Sequence, residues 1–164
     1  RAMEQLSHKN YKQVVKSVET SKEWPENLGV GKPYDNMIDN RLEDYLEAKA
    51  AAGQGDSRKT SALLAAVADY TISRSHFESG NLLSALALRE SGKVQEADHM
   101  VAAWSTDFPE NRVVQWCTAI YRGEKEKAVG MLQSRNDQTN TTPWEASFRD
   151  SNFDLIVRLF STEQ

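Results

Sequence analysis

The sequence predicts an all-α fold, in which antiparallel helical hairpins stack into an α-α superhelix of about eight or nine helices. Apolar residues recur at steps of three and four, and no segment alternates between apolar and polar residues as a strand would. The four prolines and eight glycines fall between the periodic segments, where such residues end helices. In addition, a six-residue pattern recurs between helical segments, as GKVQEA at 92–97 and as GEKEKA at 123–128.

The whole chain, residues 1–164, is predicted to be a single helical-repeat domain. Its length and its 39% hydrophobic composition suffice for one core. In order, the predicted segments are the second half of a truncated repeat (1–24), a linker loop (25–35), three helix pairs (36–74, 75–109 and 110–135), a loop (136–142) and C-terminal capping helices (143–164).

In the N-terminal half, each predicted helix follows from a stripe of apolar residues. Val14 and Val18 lie four residues apart, so they share one face of the first helix. Residues 38–49 give the next helix by similar spacing. The helix after it begins near Asp56 or Ser57, because either side chain can accept hydrogen bonds from the free amides of a first turn.

In the C-terminal half, residues 77–91 are apolar on most of the helix circumference, so this helix is expected to lie between neighbours on both sides. Pro109 ends the helix that follows, because proline cannot continue a helix. Asn111 is placed to cap the next helix. Phe153 and Ile156 belong to the apolar stripe of the last helix, which is expected to seal the core.

Composition excludes several classes of function. The formal net charge is −4 and the pI is near 5.4, so the surface as a whole repels a phosphate backbone, and nucleic acid is not an expected partner. Cys117 is the only cysteine, which rules out an intramolecular disulfide and fits a reducing compartment. No apolar run approaches the roughly 18 residues of a membrane span, so no membrane contact is expected.

The motifs that could carry chemistry fail on their spacing. The loop at 29–32 is rich in glycine, but Pro33 stands where a Walker loop needs serine or threonine. The three histidines are far apart, so they predict no metal site. Glu43 and Glu47 share a helix face, but a solvated face explains them better than a glycosidase pair. The sequence therefore predicts no catalytic residue, no metal and no cofactor.

Tryptophans are the remaining candidates for a binding surface, because an exposed aromatic ring can anchor a partner or stack on a sugar. Trp104 and Trp116 lie at positions that face neighbouring helices, and both are predicted to be core residues. Trp24 and Trp144 lie next to prolines at helix edges. Together with Tyr34 of the linker, they form the candidate interaction surface.

The glycine-to-alanine pattern belongs to a longer one. Ala85 lies seven residues before Gly92, whereas Trp104 and Pro109 lie seven and twelve residues after Ala97. This arrangement resembles the tetratricopeptide repeat, in which small residues let two antiparallel helices approach and the proline stops the second helix. The resemblance implies a superhelix whose concave face receives a peptide, a partner domain or the rest of its own chain.

Some tetratricopeptide domains hold a carboxylate with Lys, Arg and Asn side chains from the first helix of each repeat. Residues of these types are scattered in this chain, so the sequence does not support a clamp of that kind. The candidates are Lys49, Asn81 and Arg112 or Arg122.

A second resemblance concerns residues 24–34, WPENLGVGKPY. This stretch is similar to a linker in the helical-repeat region of certain large bacterial proteins, which also carry a β-rich domain of unknown function related in style to carbohydrate-active enzymes. The resemblance implies a bacterial source and assigns no catalytic residue to this region. The compartment stays open, with the cytoplasm slightly favoured over the periplasm.

These features favour a noncatalytic scaffold for protein–protein or interdomain contacts, as a fragment of a larger bacterial protein. The expected partner is another protein or a neighbouring domain of the same polypeptide, and a homo-oligomer is left open. The alternative is an accessory part of a carbohydrate-processing enzyme, which helps to shape or order its active site. Two carboxylates in a pocket near Trp24 or Trp144 would favour the alternative.

Overall fold

The computed structural model describes residues 1–23, 38–74, 76–137, 150 and 152–161. Within these ranges every regular element is a helix and no strand occurs, so the all-α prediction is confirmed for the described part of the chain. The helices there are α1 (Ala2–Ser7), α2 (Tyr11–Lys22), α3 (Arg41–Gly53), α4 (Ser57–Ile72), α5 (Gly80–Glu90), α6 (Val94–Asp107), α7 (Arg112–Tyr121), α8 (Lys125–Asp137) and α9 (Phe153–Ser161).

Helices α1 to α8 each pack on their neighbours in the chain, so the fold is built from successive helix–turn–helix contacts. Helices α1, α3, α5 and α7 also pack on one another in that order, which makes them a central row. The even-numbered helices α2, α4 and α6 each pack on the two members of that row that flank them in the chain.

Three glycines shape the turns inside the hairpins. Gly55, Gly92 and Gly123 have φ angles of 79°, 82° and 74°, in the left-handed region that favours glycine. At Gly92, the backbone N–H donates to the Arg89 carbonyl oxygen (3.1 Å), and the Lys93 N–H donates to the Leu88 oxygen (2.9 Å). This pair of bonds is a Schellman motif, which satisfies carbonyl groups that a helix C-terminus leaves free.

A fourth turn has the same geometry without glycine. Lys9 has a φ of 56°, its N–H donates to the Leu6 carbonyl oxygen (2.9 Å), and the Asn10 N–H donates to the Gln5 oxygen (2.8 Å). In all four turns, the next helix begins two residues after the left-handed residue. Sequence reasoning missed this turn because a lysine gives no signal for a left-handed conformation.

The core runs along the central row, and α5 is its most enclosed helix. All residues from 80 to 88 are buried, which confirms that α5 lies between neighbours on several sides. Trp104 and Trp116 are buried as predicted, with 8% and 1% of their surface exposed. Cys117 is also fully buried, and burial raises its pKa well above the ordinary value, so its thiol stays protonated.

The predicted caps form, whereas some predicted boundaries differ. Asp56 accepts a hydrogen bond from the Lys59 N–H (2.9 Å), and Asn111 Oδ1 accepts one from Val113 N–H (2.9 Å). Helix α8 runs to Asp137, two residues into the predicted loop at 136–142, because polar residues without proline or glycine do not end a helix.

Gly130 lies inside α8, so this glycine does not mark a joint as predicted. It has open space around the position of a Cβ atom, and an exposed helix interior tolerates a single glycine at modest cost. The predicted linker at 25–35 lies outside the described residues.

Candidate functional site

The three residues predicted to form an interaction surface, Trp24, Tyr34 and Trp144, all lie outside the described residues. Their role therefore stays a prediction. The same holds for the glycine-rich loop at 29–32. Any candidate site has to be built from the helices that the structure describes.

The residues considered for a carboxylate clamp lie in different environments. Lys49 Nζ pairs with Glu90 Oε1 at 3.1 Å, and Asn81 is only 4% exposed. Arg112 donates from Nη1 to the side chain of Gln115, three residues along its own helix. Arg122 is exposed at the end of α7 and lies at the rim of a cavity.

This cavity, of about 340 Å³, lies between the ends of four helices, and we call it the α7–α8 cavity. Its apolar lining includes side chains from α5, α7, α8 and α9. Its lining residues are Leu86, Arg89, Trp116, Ile120, Tyr121, Arg122, Gly123, Lys125, Ala128, Val129, Leu132, Phe160 and Ser161.

Helix α9 closes one side of the cavity because it packs across Trp116. The Trp116 ring meets the Phe153 ring edge-on, with centroids 5.3 Å apart, and the Phe160 ring at 6.5 Å. Just before α9, the Asp150 carboxylate accepts a hydrogen bond of 2.6 Å from the backbone N–H of Ser79, at the start of α5. This contact fixes where α9 begins relative to the central row.

Cations surround the cavity, and we refer to Arg89, Arg122 and Lys125 as the rim cations. All three are exposed. Arg89 donates from Nη1 to the carbonyl oxygen of Tyr121 (2.7 Å), and its guanidinium carbon lies 4.7 Å from the centre of the Tyr121 ring. In the described part of the chain, Arg122 and Lys125 form no side-chain hydrogen bond or ion pair, and the cavity lining contains no carboxylate.

Two polar groups of the cavity wall differ in their hydrogen bonding. The Tyr121 hydroxyl donates to Asp98 Oδ1 at 2.7 Å, and burial together with this bond raises the pKa of Tyr121 to about 12. By contrast, the indole Nε1 of Trp116 is buried and has no hydrogen-bond partner among the described residues. A buried donor without an acceptor is uncommon, so this N–H calls for an explanation.

A second polar cluster surrounds Arg41, which is only 2% exposed. Its guanidinium has five N–H donors, and each of them has an acceptor. Nε and Nη2 donate to the two oxygens of Asp39 (2.9 and 2.8 Å), and Nη2 also donates to Glu78 Oε2 (2.6 Å). Nη1 donates to Thr71 Oγ1 (2.8 Å) and to Asn81 Oδ1 (2.6 Å).

The Arg41 cluster is a structural tie between α3, α4 and α5. A Cβ atom added at Gly80 would lie 2.6 Å from the guanidinium carbon of Arg41, so the guanidinium packs directly on the backbone of α5. Burial by itself raises the pKa of Asp39, but the hydrogen bonds and charge of Arg41 outweigh it, and the pKa lies below its ordinary value. With every donor occupied, Arg41 offers nothing to a ligand.

The acidic cluster on α3 is not the solvated face that the sequence suggested. Glu47 is 8% exposed and pairs with Lys22 Nζ (3.0 Å) and Lys59 Nζ (2.8 Å). Lys22 also pairs with Asp44 at 2.6 Å. Burial raises the pKa of the partly buried Glu43. Asp44 and Glu47 are held by lysines from neighbouring helices, which is the arrangement of a structural ion-pair network.

Two further features are absent from the described ranges. There, no three His, Cys, Asp or Glu side chains are grouped so that they could hold a metal ion. No helix among those described has the length and apolar character needed to cross a membrane. Comparison of the chain with protein-family models, curated proteins and solved structures found no significant match.

Proposed function

We propose that this chain is a noncatalytic interaction scaffold, in which tetratricopeptide-like hairpins form an α-α superhelix that contacts another protein or a neighbouring domain. The observation that carries the proposal is the fourfold recurrence of one turn, at Lys9, Gly55, Gly92 and Gly123, each between two packed helices. A stack of such hairpins presents extended faces, and proteins built in this way use those faces for binding.

The positions after each turn support the repeat. Five residues after the left-handed residue, the second helix carries a small or β-branched residue, and four residues later it carries a valine or a leucine. The pairs are Val14 and Val18, Thr60 and Leu64, Ala97 and Val101, and Ala128 and Leu132. Thr60 and Leu132 are partly buried and the other six are buried, so one register faces the core in every hairpin.

The noncatalytic part of the proposal is supported by the state of the ionisable groups. Asp44 and Glu47 on α3 are engaged by Lys22 and Lys59, and the Cys117 thiol is buried with a raised pKa. The carbohydrate-related alternative rests on the resemblance of residues 24–34 alone. It needs carboxylates near Trp24 or Trp144, which lie outside the described residues, so no structural observation favours it.

Site-specific photocrosslinking tests the scaffold. A photoreactive phenylalanine analogue is placed singly at three exposed apolar positions, Ile72, Val94 and Val129, and each variant is irradiated in a lysate of the source organism. We expect one identified protein, or one neighbouring domain of the intact polypeptide, to be captured repeatedly from one face. Light scattering separates this outcome from capture of a second copy.

The proposal fails if no position gives an adduct, or if all three positions give the same unselective mixture. It also fails if the chain hydrolyses or modifies a sugar in a glycan array. A carbohydrate bound without turnover would support the accessory role in place of the protein scaffold.

A further inference from the structure

The α7–α8 cavity has the size and lining of a binding site. Its volume of about 340 Å³ lies in the range of about 300–1,000 Å³ that is usual for ligand pockets. Leu86 and Trp116 are buried in its wall, and Leu132 and Phe160 are partly exposed. Such a wall suits a bulky apolar side chain.

The charge at the rim is opposite to that of the whole chain. The formal net charge is −4, yet among the described residues the cavity is lined by three cations and by no acidic side chain. The nearby Glu124 carboxylate is paired with Lys127 Nζ at 2.9 Å. An anionic group is therefore the chemical complement of this rim.

Most carbonyl groups at the end of α7 do not bond to the side chains of the rim cations. Its last carbonyl groups accept backbone N–H bonds within the turn: Arg122 donates to Thr118, Glu124 to Ala119, and Gly123 to Ile120, at 2.9–3.0 Å. Arg89 uses Nη1 on the Tyr121 carbonyl oxygen, and its remaining donors can serve an incoming oxygen. A carboxylate matches the planar donor pattern of a guanidinium.

Trp116 contributes a large aromatic ring to the wall, so its indole resonance reports on occupancy of the cavity. Its Nε1 is a buried hydrogen-bond donor without a partner among the described residues, and its ring forms part of the cavity wall. An apolar side chain of a ligand can pack on this ring.

The surface around the cavity favours a peptide over a smaller molecule. Val129 on α8 is 42% exposed and continues the apolar wall outward. The principal helix contact of α8 is with α7, which leaves the flank that carries Val129 open to an added segment. An extended ligand can cover this flank and fill the cavity at once, as peptides do in helix grooves.

Resting on the scaffold function proposed above, we propose that the α7–α8 cavity binds an acidic peptide segment of the partner. A bulky apolar side chain of that segment lies against Trp116 and Val129. A neighbouring carboxylate is held by the rim cations.

The test uses a fluorescein-labelled peptide of sequence Asp-Asp-Leu-Phe-Glu-Glu, titrated with the full chain at low salt while anisotropy is recorded. We expect saturable binding, together with a shift of the Trp116 indole resonance in the proton–nitrogen NMR spectrum. The double variant Arg122→Gln/Lys125→Gln is expected to weaken binding about tenfold, because two charged contacts are lost. Val129→Glu is expected to weaken it as well.

A matched control removes the same charge elsewhere. Lys12 and Arg58 are exposed and lie outside the cavity, so Lys12→Gln/Arg58→Gln is expected to change affinity by less than about twofold. A peptide in which lysine replaces each acidic residue is expected not to bind. Both double variants replace exposed side chains, so both are expected to fold.

Three results would overturn the proposal: no saturable binding, equal weakening by the two double variants, or an unchanged Trp116 resonance at saturation. Displacement of the peptide by phenylacetate at concentrations below the peptide Kd would reassign the cavity to small carboxylates. Photocrosslinks at Ile72 or Val94 without any at Val129 would leave the scaffold function intact and reject this site alone.

Discussion

Arg41 shows how one side chain can join three helices. A guanidinium carries five fixed donors, and here its acceptors come from the segment before α3, from α4 and from the region where α5 begins. Its charge is balanced by Asp39 and Glu78, with N–O distances of 2.8 and 2.6 Å. Because charge and hydrogen bonds are both satisfied, burial of this arginine is compatible with a stable fold.

Replacement of Arg41 should therefore be costly. Arg41→Met leaves the Asp39 and Glu78 carboxylates without their cation, and we expect a loss of about 3–5 kcal/mol in the free energy of unfolding. Urea denaturation followed by circular dichroism measures this loss. If this variant does not fold, Arg41→Lys provides the test, with an intermediate loss expected because lysine cannot reproduce the planar pattern of donors.

Arg58→Met is the matched control for Arg41→Met, because Arg58 is exposed near the start of α4. We expect it to change stability by less than about 0.5 kcal/mol. A loss below about 1 kcal/mol for Arg41→Met would show that the cluster is not the tie we describe.

At the scale of single residues, the sequence predicts hydrogen bonds between neighbours in the chain. It does not predict hydrogen bonds between residues that are far apart in the chain. Asp56 and Asn111 could be predicted as caps because a cap bonds to amides two or three residues away. Arg41 could not be identified, because its partners Thr71 and Asn81 lie 30 and 40 residues further along the chain. An arginine at a polar helix start ordinarily indicates a solvent-exposed position.

At the scale of elements, the four hairpin turns depend on one left-handed residue each. Gly92 has a φ of 82°, and no atom lies within 4 Å of the position that a Cβ atom would take. An alanine at this position would therefore be disfavoured by its backbone conformation alone. Gly130 has similar free space but lies inside α8. The two glycines therefore separate the effect of backbone angle from the effect of crowding.

We predict opposite outcomes for the two alanine substitutions. Gly92→Ala should destabilise the chain by about 1 kcal/mol, because alanine is disfavoured at positive φ. Gly130→Ala should stabilise it by about 0.5–1 kcal/mol, through better helix propensity. Lys9→Gly should give a gain below about 1 kcal/mol, because relief of the left-handed angle exceeds the entropy that glycine loses.

Thermal unfolding of the three variants beside the parent chain measures these differences as shifts of Tm. A stabilising Gly92→Ala would contradict the role assigned to the turn. A destabilising Gly130→Ala would show that this glycine has a packing role that its surroundings do not reveal.

Helix ends are easier to place from the sequence where a glycine or a proline imposes a backbone conformation than where the residues are only polar. Gly55 and Gly92 mark the ends of α3 and α5 because their left-handed angle stops helical hydrogen bonding. The end of α8 was placed too early, because polarity alone carries no conformational constraint. Lys9 shows the converse case, in which a turn forms without its usual residue.

At the scale of the whole molecule, the buried carboxylates predict an acid-labile fold. Burial raises the pKa values of Asp39 and Glu47, but Arg41 and the two lysines outweigh this effect, so both pKa values lie below the ordinary ones. Each group then contributes stability at neutral pH that is lost as the pH falls below the unfolded value and through the folded one. Glu43 has a raised pKa and acts in the opposite direction.

We expect the free energy of unfolding to fall as the pH drops below about 5, since Asp39 and Glu47 have lowered pKa values and outnumber Glu43. Glu47→Gln should flatten this dependence, because one group with a lowered pKa is removed. Glu43→Gln should raise stability near neutral pH, where the parent chain bears the cost of a partly buried charge. Urea denaturation at several pH values measures both effects, and a steeper pH dependence for Glu47→Gln would contradict them.

The all-α fold could be predicted from periodicity, whereas the α7–α8 cavity could not. Periodicity shows which face of a helix is apolar, but the cavity arises from side chains of α5, α7, α8 and α9 that meet only in three dimensions. Trp116 could be predicted as a core residue, and it is buried. That its indole N–H would lack a partner follows from the positions of its neighbours, which the spacing does not specify.

The contact between Asp150 and Ser79 has a consequence for the order of folding. It joins residues 71 positions apart, whereas the hairpin turns are local. During synthesis, α5 and α7 are therefore made well before the residues that complete the layer over Trp116. A growing chain can form its hairpins early. The apolar face around Trp116 stays exposed to chaperones and to aggregation until α9 has been synthesised and packs on it.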